Sequence, residues 1–162
     1  MPLSPFIALT DKNWFDHLKV KSNADSIVDE ANFWSPKAQT PPAKMDPGQP
    51  VFLRLKSPYY AIAGVGFYTA FHVLPMDEAW QLFQWRNGDD TVSDFYKRIR
   101  QYRRDETEDE ILNKPLGCMV LRSVELWNCG TNHAGSRGAL NKALQQILFE
   151  VWACMIPRGP LN

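Results

Sequence analysis

The run "VFLRLKSPYYAIAGVGFYTAFHVLP", Val51 to Pro75, limits the possible folds more than any other part of the chain. It is rich in β-branched and aromatic residues and carries Gly64-Val65-Gly66 near its middle. Val51, Leu53 and Leu55 alternate with Phe52, Arg54 and Lys56. That is the two-residue period of a half-buried strand. "SPYY" turns the chain, and Ala61 to Val73 reads as a second, longer strand. A dinucleotide-binding turn would place its glycines between a strand and a helix, with a third glycine to let the two pack. Here the pair lies inside one strand, the third glycine is missing, and Leu74-Pro75 precedes the next helix. The nucleotide-loop reading fails. Two glycines on one face of a strand either leave a shallow groove for a ligand or permit the bend of a small barrel.

The flanking segments supply helices. "FIALT", Phe6 to Thr10, is a short apolar strand, and Asp11 can cap a helix through "KNWFDHLKV" with Trp14, Phe15 and Leu18 at helical spacing. "SNADSIVDEANFWSPKAQTPPAKMDPGQP" reads as a long polar, proline-rich loop holding one aromatic cluster, Asn32-Phe33-Trp34. "PMDEAWQLF" starts a helix, with Pro75 in its first turn and Met76, Ala79, Trp80 and Phe83 on one face; Asn87-Gly88 ends it. Thr91 opens another, with Val92, Phe95, Ile99 and Tyr102 as its buried stripe and the arginines outside. Leu116 to Trp127 reads as a further strand. The expected class is α+β: a small barrel flanked by helices.

A chain of 162 residues is one domain in size and needs no disulfide staples. Its formal net charge is zero, so bulk charge does not argue for a polyanionic partner. Local charge says more. Between Gln49 and Met76 there is no acid, and the bases are Arg54, Lys56 and His72. Lys97 to Arg104 carries five basic residues, followed by five acidic ones from Asp105 to Glu110. These blocks are either solvated faces that neutralise each other or a basic stripe for phosphate contact.

Catalytic constellations are missing from the sequence. Cys118, Cys129 and Cys154 form no C-x-x-C pair, which excludes a familiar structural zinc framework. His17, His72 and His133 stand apart in the sequence, and Asn132-His133 is too little to specify a metal site. The expectation is a binding protein with no cofactor and no metal. The N-terminus lacks a secretory pattern, and no apolar run approaches the roughly 20 residues of a membrane span, so a cytoplasmic setting away from membranes is expected. Aromatics beside basic strands suit stacking on nucleobases. The cluster Asn32-Phe33-Trp34 either plugs the core or lines a pocket, where the Asn32 amide could read a base edge.

The blocks "ALTDKNWFDHLK", "DEANFWSP", "GQPVFLRLKSPYYAIAGVGFYTAFHVLPMDEAWQLF", "NGDDTVSDFYKRIRQYRR" and "LGCMVLRSVELW" together resemble the N-terminal region of predicted HNH restriction endonucleases. That region is similar to the SRA-like, PUA-superfamily reader domains of modification-dependent restriction enzymes. The resemblance covers about Phe6 to Trp127 and implies a PUA/SRA-like β-barrel over residues 1–127 that binds double-stranded, modified DNA. It implies a flipped base in an aromatic cage, for which Asn32, Phe33, Trp34, Tyr59 and Tyr60 are the matching positions. Arg54, Lys56, Arg100, Arg103 and Arg104 are the candidate phosphate contacts. The family's nuclease domain has no counterpart here, so the chain is expected not to cut DNA alone.

The tail, residues 128–162, departs from the family. Leu140, Ala143, Leu144, Ile147, Leu148, Val151, Trp152 and Met155 fall at helical spacing over about 139–156. That stripe should bury itself on its own barrel or on a second copy. Three functions follow: a DNA reader module, a non-catalytic subunit working with an HNH nuclease chain, or an RNA- or protein-binding module on a PUA-like scaffold.

Overall fold

The hairpin read from Val51 to Pro75 lies at the centre of the fold. The computed structural model describes residues 5–38 and 44–128, all within one compact unit, Met1–Asn128. Its elements are β1 (Phe6–Thr10), α1 (Lys12–Lys21), β2 (Ile27–Ser35), β3 (Pro50–Leu55), β4 (Ile62–Leu74), α2 (Met76–Phe83), α3 (Val92–Tyr102), α4 (Glu108–Asn113) and β5 (Leu116–Leu126). The helix expected over 139–156, and with it Cys129, Cys154 and His133, lies outside the described residues.

The strands form one sheet in the order β1-β3-β4-β5-β2. β1 runs parallel to β3, and the other three pairs are antiparallel. The α+β expectation therefore holds, and the closed barrel does not. Among the described residues β1 pairs with β3 alone and β2 with β5 alone, so the sheet keeps two open edges. α1 connects those edges, carrying the chain from β1 across to β2.

The glycine pair sits where β5 crosses β4 closely. A Cβ at Gly64 would lie 2.4 Å from the carbonyl oxygen of Glu125, and one at Gly66 would lie 3.2 Å from side-chain atoms of Leu121 and Val124. The β4–β5 register shifts twice nearby, between Val65 and Phe67 and between Tyr68 and Ala70. Ser123, on the opposite strand, takes a φ of 49°. Irregularities of this kind sharpen the local twist and bend of a sheet. The glycines serve strand packing, with β5 occupying the space a groove would need.

β2 corrects the reading of residues 22–50 as one long loop. Val28, Ala31 and Asn32 are all buried, so both faces of the strand are covered and the two-residue period is lost. Its Glu30 sits on the ladder, opposite Arg122 and 3.5 Å from its guanidinium. α4 forms inside the acidic block through a reciprocal capping box between Thr107 and Glu110. Three carboxylates in its first turn suit the positive end of the helix.

Helices cover both sides of the sheet. On one side Trp14, Phe15 and Leu18 of α1 pack on Val51, Leu53, Leu55, Leu121 and Leu126. On the other, Met76, Ala79 and Phe83 of α2 join Phe95 and Ile99 of α3, Ile111 of α4, and Leu116 and Val120 of β5. Phe95 and Ile99 are buried as their spacing predicts, whereas Val92 and Tyr102 are each 44% exposed and leave the stripe. α2 stops at Phe83, and a 3-10 turn over Gln84–Asn87 carries the chain to Gly88, whose φ of 94° closes it.

Candidate functional site

A cavity of about 250 Å³ opens where the two sheet edges face each other. Leu9 of β1 lines it on one side, and Phe33, Trp34 and Ser35 of β2 line it on the other. Trp14 of α1 and Arg98 and Tyr102 of α3 fill the space between, and Lys56, just past β3, stands with Asp11 at the polar wall. The gap that keeps the sheet from closing is the cavity itself.

Its aromatic lining is held edge to face. The rings of Trp14 and Phe33 are 5.3 Å apart at 83°, and those of Trp34 and Tyr102 are 5.9 Å apart at 87°. Such T-shaped pairs add about 0.5–1.5 kcal/mol beyond the area they bury. Both indoles are also anchored by hydrogen bonds. Trp14 Nε1 donates to the Asn32 carbonyl at 3.2 Å, and Trp34 Nε1 donates to the Asn87 carbonyl at 2.9 Å. The cavity is therefore preorganised.

The polar wall is a network around Asp11. That residue stands at the N-cap of α1, as its sequence position predicts, but its side chain makes no cap bond. One carboxylate oxygen lies 2.8 Å from Lys56 Nζ, and the other accepts from the Tyr102 hydroxyl. Burial opposes ionisation of Asp11; the hydrogen bonds from Lys56 and Tyr102 and the charges of Lys56 and Arg98 outweigh it and hold the carboxyl below its ordinary value. Burial, the bond to Asp11 and that carboxylate's charge push the Tyr102 hydroxyl far up, so it remains a neutral donor. Lys56 also sits 5.6 Å from the centre of the Tyr102 ring. Arg98 is clamped by Asp89 through three contacts of 2.7 to 3.0 Å from Nε and Nη2. Asp89 is itself buried, and its bonds and charge raise the Arg98 guanidinium against the cost of burial.

The sequence candidates divide sharply. Phe33, Trp34 and Lys56 line the cavity. Asn32 is fully buried behind it, its Nδ2 donating to Asn87 Oδ1 at 2.8 Å. Tyr59 and Tyr60 lie outside, on the turn between β3 and β4, and Arg54 sits over the Tyr60 ring. Arg100 bonds the Tyr96 hydroxyl and Arg104 the Gln101 carbonyl, both on the exposed side of the α3 end. Arg103 is an interior residue, only 7% exposed, with its guanidinium donating to the carbonyls of Pro36, Lys114 and Pro115. Those bonds fasten β2's exit to β5's entry and leave the group no free edge for a phosphate.

The other seven lining residues escaped the sequence reading in that role: Leu9, Ser35 and Pro36 drew no notice, Asp11 read as a helix cap, Trp14 and Tyr102 as apolar-stripe residues, and Arg98 as one of a basic block. Among the described residues no group of His, Cys, Asp and Glu is placed to hold a metal ion, and no helix is long and apolar enough to cross a membrane. Burial pushes the Cys118 thiol up to about 11, so it stays protonated and inert. His17 packs beside Asp90 at 3.8 Å, away from the cavity lining, and His72 is exposed on β4.

No family model and no curated protein matches the sequence. In fold, the chain is similar to crystal structures of ASCH from Zymomonas mobilis. A serine-to-alanine mutant of that protein gives a TM-score of 0.52 at 7% identity, over 90% of this chain and 97% of that one. The unmutated ASCH gives 0.46 at 8% identity over 88% and 93%, and a tyrosine-to-phenylalanine mutant 0.45 at 8% over 88% and 96%. At this identity the likeness is one of fold alone, and the restriction-endonuclease resemblance finds no counterpart in these structures.

Proposed function

We propose that this chain is a nucleic-acid reader that holds one base, unpaired or flipped from a duplex, in the cavity between its sheet edges. The observation that carries the proposal is the lining: Phe33, Trp34 and Tyr102 offer π-surface, and Asp11, Lys56 and Arg98 offer polar groups of both kinds. A base needs that combination. Its faces gain from stacking, and its edge carries donors and acceptors that must be matched once water is excluded. At about 250 Å³ the cavity falls just below the roughly 300–1,000 Å³ of drug-sized ligand sites. That suits a base or nucleoside better than a dinucleotide.

The edge chemistry follows from the protonation states. Ionised Asp11 accepts from an amino or imino N–H, while Lys56 and Arg98 donate to a ring nitrogen or carbonyl. The PUA-like scaffold supports the reading because it also serves RNA-binding modules. The resemblance to modified-DNA readers supports the same cavity with a modified base in it. It also makes an HNH nuclease chain a candidate partner, with this chain contributing recognition.

The test is a titration of the full chain with modified and unmodified DNA duplexes, single-stranded DNA and single-stranded RNA, in wild type and in Trp34→Phe and Tyr102→Ala. At least one ligand should bind, more weakly as salt rises. Tyr102→Ala should cost about 1–3 kcal/mol of binding, the range for one base–aromatic contact. Trp34→Phe should weaken binding less, since a ring remains. Unaltered affinity in a folded Tyr102→Ala variant would remove the base from this cavity.

A further inference from the structure

Tyr59 and Tyr60, expected in the base pocket, lie instead on the turn outside it, and that placement suggests a second role. Each ring is about half exposed, at 53% and 54%. Each carries a cation: Lys12 Nζ is 5.4 Å from the centre of the Tyr59 ring, and the Arg54 guanidinium is 5.9 Å from that of Tyr60. Lys56 over Tyr102 repeats the arrangement at the cavity wall. Three cation–tyrosine pairs thus run from the cavity onto the adjoining surface.

The surface is continuous with the cavity through the backbone. Lys12 follows Asp11, and the Tyr59 amide donates to the Lys56 carbonyl at 3.1 Å. Arg54 lies two residues before Lys56, on the same face of the β3 strand line. Among the described residues Arg54 has no carboxylate partner; Lys12 is paired with Asp16, and Lys56 with Asp11. Tyr60 takes a φ of 53°, a conformation that costs a bulky L-residue free energy and is common where the chain performs a function.

We infer that Tyr59 and Tyr60, with Lys12 and Arg54, form a stacking platform for the nucleotides flanking the base held in the cavity. The partner is therefore a single strand. This rests on the base-cavity reading and adds the form of the ligand to it. A ring on an exposed turn can stack only on a base whose face is free, which a paired duplex does not offer. Alternating π-face and positive charge matches the alternation of base and phosphate along an extended strand. DNA and RNA share that chemistry, and the sugar is an arm of the test.

The experiment measures binding of a mononucleoside, a trinucleotide and a hexanucleotide, in DNA and RNA form, to three proteins of verified melting temperature. These are wild type, the double variant Tyr59→Ala/Tyr60→Asn, and Tyr59→Phe/Tyr60→Phe. Asparagine is chosen because it tolerates positive φ. Wild-type affinity should rise with strand length. The Ala/Asn variant should lose about 5- to 150-fold on the hexanucleotide and nothing on the mononucleoside, and the double Phe variant should retain the gain. If the Ala/Asn variant keeps the full length-dependent gain, the platform is wrong, and the turn is left as a contact surface for a protein. In that case a loss in Tyr102→Ala still supports the cavity. If Tyr102→Ala binds normally while the Ala/Asn variant does not, the cavity reading falls and the platform stands. If no strand of any length binds, both fall together.

Discussion

The hydroxyl of Tyr102, at the last turn of α3, donates to the carboxylate of Asp11, 91 residues earlier and at the start of α1. This bond ties together two helices that pack in the cores on opposite sides of one sheet. It also sets the protonation of both groups at the cavity wall, and its dependence on pH has a definite sign. Asp11 titrates below its ordinary value of 3.8 in the fold: burial opposes the shift, and the bonds from Lys56 and Tyr102 outweigh it. Its contribution to stability is fully present above that ordinary value and is lost as pH falls through the lower folded value. Tyr102 is raised above its ordinary value of 10.0 by burial, then by Asp11. Its contribution is complete below that value and fades as pH rises through the folded one.

Tyr102→Phe should therefore cost about 1 kcal/mol at neutral pH, the figure for a partly solvated hydrogen bond. The difference in melting temperature from wild type should be level between about pH 5 and 9 and shrink on the acid side as Asp11 protonates. Thermal melts across that range check this. A difference that grows below pH 4 would mean that Asp11 is not the acceptor in solution.

A second prediction concerns Asn87, the buried residue behind the cavity. Its Oδ1 accepts from Asn32, its Nδ2 donates to the carbonyls of Ala79 and Gln84, and its own carbonyl accepts from Trp34. Asn87→Ala would leave the buried Asn32 amide without its partner and remove one side-chain bond each from the Ala79 and Gln84 carbonyls. The expected cost is about 2–4 kcal/mol, one or two unsatisfied buried groups. Denaturant unfolding measures it, and a change under about 0.5 kcal/mol, typical of exposed positions, would contradict the network.

Arginines on α3 and just past it should separate by burial. Arg103→Ala removes a buried guanidinium from three backbone carbonyls and should destabilise by several kcal/mol, about 3–5 in the range for broken buried charge contacts. Arg104→Ala should change stability within about 0.5 kcal/mol, as surface positions do. If nucleic acid runs along this helix, only the Arg104 and Arg100 variants should weaken binding without lowering the melting temperature. A binding defect in a fully stable Arg103→Ala protein would restore Arg103 to the phosphate contacts.

These pairs also show why the site was only partly legible in the sequence. Local signals located the elements: α1, α2 and α3 form where apolar residues recur at helical spacing, and the β3–β4 hairpin forms in its β-branched and aromatic run. But Phe52 is buried along with Val51, Leu53 and Leu55, so β3 is covered on both faces rather than half-buried. The acid-free run around Arg54 and Lys56 and the aromatics Phe33 and Trp34 drew notice by composition, and three of these four reach the cavity. Asp11 and Tyr102 did not draw notice, because each already satisfied a local rule as helix cap and as stripe residue. Their partnership depends on where β1 and β2 end up, at the two edges of a sheet whose order no local period encodes. β2 hid for a related reason. Buried on both faces, it lacks the alternation that reveals a strand, and its acids imitate a loop.

The last prediction uses two glycines of similar conformation to test how Trp14 is held at the cavity. Gly48 and Gly88 take φ values of 89° and 94°, so replacing either by alanine strains the backbone by a similar amount, about 1–2 kcal/mol. Their surroundings differ. Nothing lies within 4 Å of a Cβ built at Gly48, whereas one at Gly88 would fall 2.3 Å from Trp14 Cδ1 and 2.9 Å from Cγ. Those atoms belong to the ring that contacts Phe33 edge to face and donates to the Asn32 carbonyl. Gly88→Ala must push the indole away or shift the turn after α2, adding about 1–3 kcal/mol of overpacking to the conformational strain. It should therefore be the more destabilising of the two by that margin in denaturant unfolding. It should also weaken base binding, because the displaced ring lines the cavity, while Gly48→Ala leaves binding at the wild-type level. Equal losses of stability from the two substitutions would show that backbone strain alone decides the cost and that Trp14 is free to move aside.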